Sequence, residues 1–158
     1  MKKYENMKNK KTKKGFTLIE ILVVIGIIAI LAAVILIAVN PARQFAQARN
    51  SQRWSNVNAI LNAVGQNIAD NKGVFNCPAG EIPTTPTLMA SGTGNYNIRP
   101  CLVPNYLPEI PVDPKEGTLS SPPTEYNTGY RIAKDGTSGR ITISAPGAEL
   151  AEKIEVTR

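Results

Sequence analysis

The stretch Ile21-Leu22-Val23-Val24-Ile25-Gly26-Ile27-Ile28-Ala29-Ile30-Leu31-Ala32-Ala33-Val34-Ile35-Leu36-Ile37-Ala38-Val39 is nineteen consecutive apolar or small residues without a charge. As a helix it covers about 28 Å, close to the roughly 30 Å hydrocarbon core of a bilayer. The core helix of a soluble protein is seldom so long and so uniformly apolar. A removable secretory signal carries a shorter apolar region, about 7–15 residues, followed by a small-x-small cleavage site. Here Asn40-Pro41-Ala42-Arg43 follows instead. The run is therefore read as a membrane-spanning helix that stays with the chain.

Upstream, residues 1–14 hold seven lysines (Lys2, Lys3, Lys8, Lys10, Lys11, Lys13, Lys14) against one acid, Glu5, which accounts for the whole formal net charge of +6. From Gly15 onward there are eleven Lys and Arg and eleven Asp and Glu, so the remainder is neutral. A dense basic surface for phosphate contacts is not expected beyond the leader, and no nucleic-acid partner is predicted. Lysines on the amino-terminal side hold that end in the cytoplasm by the positive-inside bias, which sends the carboxy-terminal part across the membrane. Histidine is absent from the 158 residues. That removes Ser-His-Asp and Cys-His catalysis and histidine-ligated metals together. Two cysteines, Cys77 and Cys101, do not complete a tetrahedral zinc site. In an oxidising compartment they are read as a disulfide.

Between leader and apolar run stands Glu20. A carboxylate within a bilayer is unfavourable. Near the amino terminus of a helix, within reach of the headgroups, it is tolerated. Its surroundings suggest more. Gly15-Phe16-Thr17-Leu18-Ile19-Glu20 behind Lys13-Lys14 resembles the processing signal of type IV prepilins and of type II secretion pseudopilins. The resemblance implies that a prepilin peptidase cuts between Gly15 and Phe16 and that the new amine of Phe16 is methylated. Glycine suits the cut because it lacks a Cβ and lets a protease approach the backbone. The resemblance also implies that Glu20 pairs with the amino terminus of a neighbouring subunit. Two groups that are each unfavourable in lipid become tolerable as a desolvated ion pair, and the pair sets the step between subunits.

Pro41 admits two geometries: a kink in one continuous helix, or a break with Asn40 as N-cap and Pro41 at the first helical position. From Ala42 to Asp70 there is no proline, and Phe45, Trp54, Val57, Ile60, Leu61, Val64 and Ile68 recur at helical spacing. They predict an amphipathic helix with Gln, Asn and Arg on its other face, resting on a sheet. Asn71-Lys72-Gly73 supplies its stop, with Gly73 suited to a left-handed cap. If Phe16 to Asp70 is all helix, it spans about 82 Å.

Eleven of the twelve prolines lie beyond Val74, predicting loops and short strands. A Cys77–Cys101 ring stabilises by about 3–3.5 kcal/mol in the chain-entropy model. Tyr106-Leu107-Pro108-Glu109-Ile110-Pro111-Val112-Asp113-Pro114 is similar to a segment found in pilins of the pseudopilin G type. Gly129 to Lys134 and Arg140 to Ala145 read as strands of a hairpin around Asp135-Gly136. Glu152 to Thr157 reads as an edge strand or a short helix. Some pseudopilins of this type bind calcium, and Asp113, Glu116, Glu125 and Asp135 are the candidate ligands. Their spacing fits no EF-hand-like pattern, and the turn accounts for Asp135. No cofactor is otherwise implied.

The expected fold is α+β, a long amino-terminal helix packed on a small, loop-rich antiparallel sheet with one disulfide. Residues 1–15 form a cleaved leader, 16–39 a membrane and filament-core helix, 40–72 an amphipathic helix, and 73–158 an extracytoplasmic β domain. The resemblance implies a structural subunit with no catalytic residue. It is inserted as a single-pass inner-membrane precursor, then built by an assembly platform and its ATPase into a homo-oligomeric filament outside the membrane or in the periplasm. Pilus fibre and short secretion pseudopilus (or competence filament) both remain open. So does an uncleaved, membrane-anchored extracytoplasmic binding protein.

Overall fold

The computed structural model describes residues 15–38, 40–121 and 124–158. The lysine-rich leader, residues 1–14, and Val39 lie outside the described residues. The chain divides into two units, residues 1–40 and Pro41–Arg158.

In the first unit, helix α1 runs Leu18–Ala38. Leu18–Leu36 is long and apolar enough to cross a membrane, and none of that window is buried within the chain. With no polar face, such a helix needs a cover that the described residues do not supply.

The second unit starts with α2, Pro41–Asp70. Asn40 is not helical, so of the two geometries open to Pro41 the chain takes the fresh start. At a first helical position the missing N–H is not needed and the fixed φ already suits the helix. One continuous helix from Phe16 to Asp70 is not formed. At its far end α2 stops at Asn71-Lys72-Gly73, where Gly73 takes the expected left-handed φ, 91°, and Lys72, φ 58°, is left-handed as well. The Gly73 N–H then reaches back to the Ile68 carbonyl at 2.8 Å, as in a Schellman ending.

Among the described residues, five antiparallel strands form one sheet: β1 Thr87–Ala90, β2 Thr118–Leu119, β3 Tyr126–Lys134, β4 Ile141–Ala145 and β5 Ile154–Thr157. The order is β1-β3-β4-β5, with β2 pairing the start of β3. Ile154–Thr157 is the edge strand, not a helix. In β4 the burial alternates, with Ile141, Ile143 and Ala145 inward, as a half-buried strand requires. The β3–β4 connection does not use the tight Asp-Gly turn. Asp135 Oδ1 instead accepts from Thr137 N at 2.9 Å and from the Ser138 N–H and hydroxyl, while Gly139, not Gly136, takes positive φ, 71°. A side-chain acceptor for two backbone donors favours the longer loop.

The disulfide joins Cys77 to Cys101. The segment it encloses is more than loop, because it contributes β1 and the short helix α3, Arg99–Leu102. Val57, Ile60, Leu61 and Val64 of α2 are buried against Ile98, Leu102, Tyr130, Ile132, Ile143 and Ile154. Phe45 departs from the predicted stripe, being 65% exposed.

The larger departure is polar. Asn50, Arg53 and Asn67 of α2 are buried, although they belong to the face read as solvated. Chain from outside the helix covers each and supplies its partners. Asn67 Nδ2 donates to the Asn76 and Cys101 carbonyls, both at 3.1 Å, and its Oδ1 accepts from Asn76 N at 2.8 Å. Asn50 brackets Glu149, donating to its carbonyl at 2.8 Å and accepting from its N–H at 2.9 Å. Arg53 grips Asp113 with Nε at 2.6 Å and Nη2 at 3.1 Å, both side chains wholly buried. No buried side-chain polar atom among the described residues lacks a partner, which keeps so polar a helix flank tolerable.

Candidate functional site

The junction read as a processing and assembly signal lies at the head of α1. Gly15, Phe16 and Thr17 precede the helix, and Phe16 is 85% exposed. Thr17 occupies the N-cap position and Glu20 the third helical position, where the two exchange bonds. Glu20 Oε2 accepts from the Thr17 N–H at 2.7 Å and from the Thr17 hydroxyl at 2.8 Å. The Thr17 hydroxyl in turn accepts from Glu20 N at 3.3 Å. This is a capping box, which satisfies backbone donors that the first turn leaves free. Sequence reasoning missed the part of Thr17, although Thr-x-x-Glu before an apolar run is the signature of the motif. The arrangement places a carboxylate where the helix dipole favours it, on the fifth residue after the Gly15–Phe16 peptide bond.

The calcium candidates each have other partners or neighbours in the structure. Asp113 is spent on Arg53 and on the backbone N–H groups of Lys115 and Glu116, at 2.8 and 2.9 Å. Asp135 holds its own turn. Glu116 lies over Gly147, and Glu125 follows the Ser120 turn. Among the described residues, no three His, Cys, Asp or Glu side chains gather to hold a metal ion.

Asp113 instead belongs to a charged clasp. Two close glycine contacts shape its pocket: a Cβ at Gly129, φ +75°, would come 2.7 Å from the Asp113 Cβ, and one at Gly117 would come 2.5 Å from the Asp113 N. Glu149 meets Arg49 at 2.6 Å, Arg53 at 3.1 Å and Lys115 at 3.6 Å. Burial pushes the Asp113 carboxyl up, but the bonds from Arg53, Glu116 N and Lys115 N outweigh it and hold it below its ordinary value. Bonds from Arg49 and then Arg53 bring Glu149 down to about 2, and a bond from Arg99 does the same for Glu109.

These carboxylates have lower pKa values folded than unfolded. Their contribution is present above the unfolded values and lost as pH falls through the folded ones. The urea midpoint of the outer domain is expected to hold steady from neutrality to pH ~5 and then fall steeply between pH ~4.5 and ~2. A midpoint that stays flat to pH ~2.5 would show that the clasp adds no net stability.

Comparison with known proteins gives one finding. Residues 10–36 match the family model for the prokaryotic N-terminal methylation motif. No curated protein matches the chain, and no solved structure does.

Proposed function

The chain carries the prokaryotic N-terminal methylation motif at the head of an apolar helix, a combination consistent with type IV pilins and pseudopilins, and we propose that it is a prepilin-like structural subunit. A prepilin peptidase cuts between Gly15 and Phe16 and the Phe16 amine is methylated. Copies then leave the membrane and pack their α1 helices into a filament core. Burial of apolar helix surface drives the packing, and Glu20 sets the step by pairing with the amine of a neighbouring copy. The neutral outer domain forms the filament surface, and an assembly platform with its ATPase supplies the work of extraction.

The observation that carries this reading is a carboxylate fixed at the start of an apolar helix of which, among the described residues, nothing is buried. The Tyr106–Pro114 segment favours a short secretion pseudopilus over a long surface fibre. Trace abundance with loss of secretion would mark the pseudopilus, and long fibres made mainly of this chain the pilus.

Intact-mass analysis of the membrane or filament form tests the reading. The expected mass begins at methylated Phe16. A chain that retains residues 2–15 in its assembled form would overturn it.

A further inference from the structure

Asn67 is a polar side chain buried near the carboxy-terminal end of α2, only 3% exposed and three residues beyond the buried Val64. Burying an amide is unfavourable unless its donors and acceptor are met. An amide offers two N–H donors and one carbonyl oxygen, and here all are engaged. Nδ2 donates to the Asn76 and Cys101 carbonyls, and Oδ1 accepts from Asn76 N.

These partners belong to the two halves of the disulfide. Asn76 immediately precedes Cys77, and the bonded cysteines are 24 residues apart in sequence. One side chain of α2 thus gathers two segments that the chain itself keeps apart. Asn71, one turn further on, adds a second hold. Its Nδ2 donates to the Asn67 carbonyl at 2.7 Å, and its Oδ1 accepts from Asn76 Nδ2 at 3.3 Å. The base is firm, because Ile60, Leu61 and Val64 of α2 share one buried cluster with Ile98, Cys101 and Leu102.

None of the Asn67 and Asn71 bonds involves sulfur. Each can therefore form while both cysteines are still thiols. We propose that Asn67 is a positioning residue for closure of the Cys77–Cys101 disulfide. In the reduced chain its amide holds the two cysteine segments side by side, which raises the effective concentration of one thiol at the other. A short flexible linker alone gives an effective concentration on the order of millimolar. A cradle fixed on a packed helix removes much of the closure entropy that such a linker leaves.

The oxidant is a small disulfide such as oxidised glutathione. One cysteine thiolate attacks it, forming a mixed disulfide and releasing one glutathione thiol. The other cysteine thiolate then attacks the mixed disulfide and displaces the second. Two protein thiols give up two electrons and two protons, and one glutathione disulfide becomes two thiols. Nothing in this step requires a second copy of the chain.

The test equilibrates the full chain, in detergent, with mixtures of oxidised and reduced glutathione and reads the oxidised fraction by thiol alkylation and mass. A substitution that weakens the oxidised and reduced folds equally leaves this equilibrium where it was, so the readout separates positioning from general stability. Asn67→Ala is expected to lower the effective thiol concentration by about tenfold or more, since the reduced segments can then part. Asn56→Ala removes a bond from the same helix to the Val112 carbonyl and is expected to leave it within about twofold. No change in Asn67→Ala, or an equal fall in Asn56→Ala, would overturn the proposal. A second measurement keeps Asn67 and removes the sulfurs, in a chain carrying Cys77→Ser and Cys101→Ser. There the Asn76 N–H is expected to stay protected from hydrogen exchange, read by NMR. Loss of that protection, or a chain that no longer folds, would show that the disulfide makes the cradle rather than the reverse, and the proposal would fall.

Discussion

Arg53→Met is expected to destabilise the outer domain by about 3–5 kcal/mol, a large share of the roughly 5–15 kcal/mol that a domain usually has. Arg53 and Asp113 are both wholly buried, and the guanidinium fork meets both carboxylate oxygens. Methionine fills the stem volume but leaves a carboxylate in a dry pocket with only two backbone donors, Lys115 N and Glu116 N. Asp113→Asn should be milder, since its oxygen still serves those donors and Arg53 keeps Asn50 and Glu149. Urea unfolding of the detergent-solubilised chain, followed through its one tryptophan, Trp54, reads the difference. The pH dependence gives a second sign. Without Arg53 the depressing bond is gone and burial dominates, so the Asp113 carboxyl rises and protonates on mild acidification. The gap between variant and parent should therefore narrow as pH falls from ~7 to ~4. A gap below about 1 kcal/mol at neutral pH would mean that the pair is worth no more than an exposed one.

That pair also marks where reading the sequence stops. The apolar positions of α2 from Val57 to Val64 and the strands read at 129–134 and 140–145 were legible because periodicity reports which face meets a core, although β3 begins three residues earlier, at Tyr126. The long apolar helix α1 was legible from length and composition alone. Arg53, Asn50 and Asn67 were not, because a polar residue on a helix looks the same whether water or a loop covers it. What covers these three is sequence-distant: Asp113, Glu149, Asn76 and Cys101. The proline-rich segment 106–114 was legible as a family likeness, but its hold on α2 depends on bonds such as Asn56 Nδ2 to the Val112 carbonyl at 3.0 Å. At the junction, Glu20 stood out because a charge in an apolar run is conspicuous, while Thr17, small and unremarkable beside it, holds the other half of the cap.

Glu20→Gln is expected to separate the cap that Glu20 forms with Thr17 from the ion pair proposed for it. Glutamine keeps an oxygen to accept from the Thr17 N–H and hydroxyl, so α1 still starts at Leu18, as glutamine does in capping boxes generally. What it removes is the charge. If a neighbouring amine is the partner, Glu20→Gln should lower filament yield as strongly as Glu20→Ala, about tenfold or more, because an amine without a counter-charge is left in an apolar core. Both variants should still insert in the membrane, since each lowers the polarity of the span, and both should be cut, since the Gly15–Phe16 bond is unchanged. Filament yield and intact mass measured on the same preparations read both points. If Glu20→Gln assembles as well as the parent while Glu20→Ala does not, the residue serves only as a cap and the ion pair is wrong. On the proposed function the amine exists only after the cut, and a pair with it would couple assembly to processing. A Gly15 variant that the peptidase cannot cut should stay in the membrane with Glu20 intact and no filament formed.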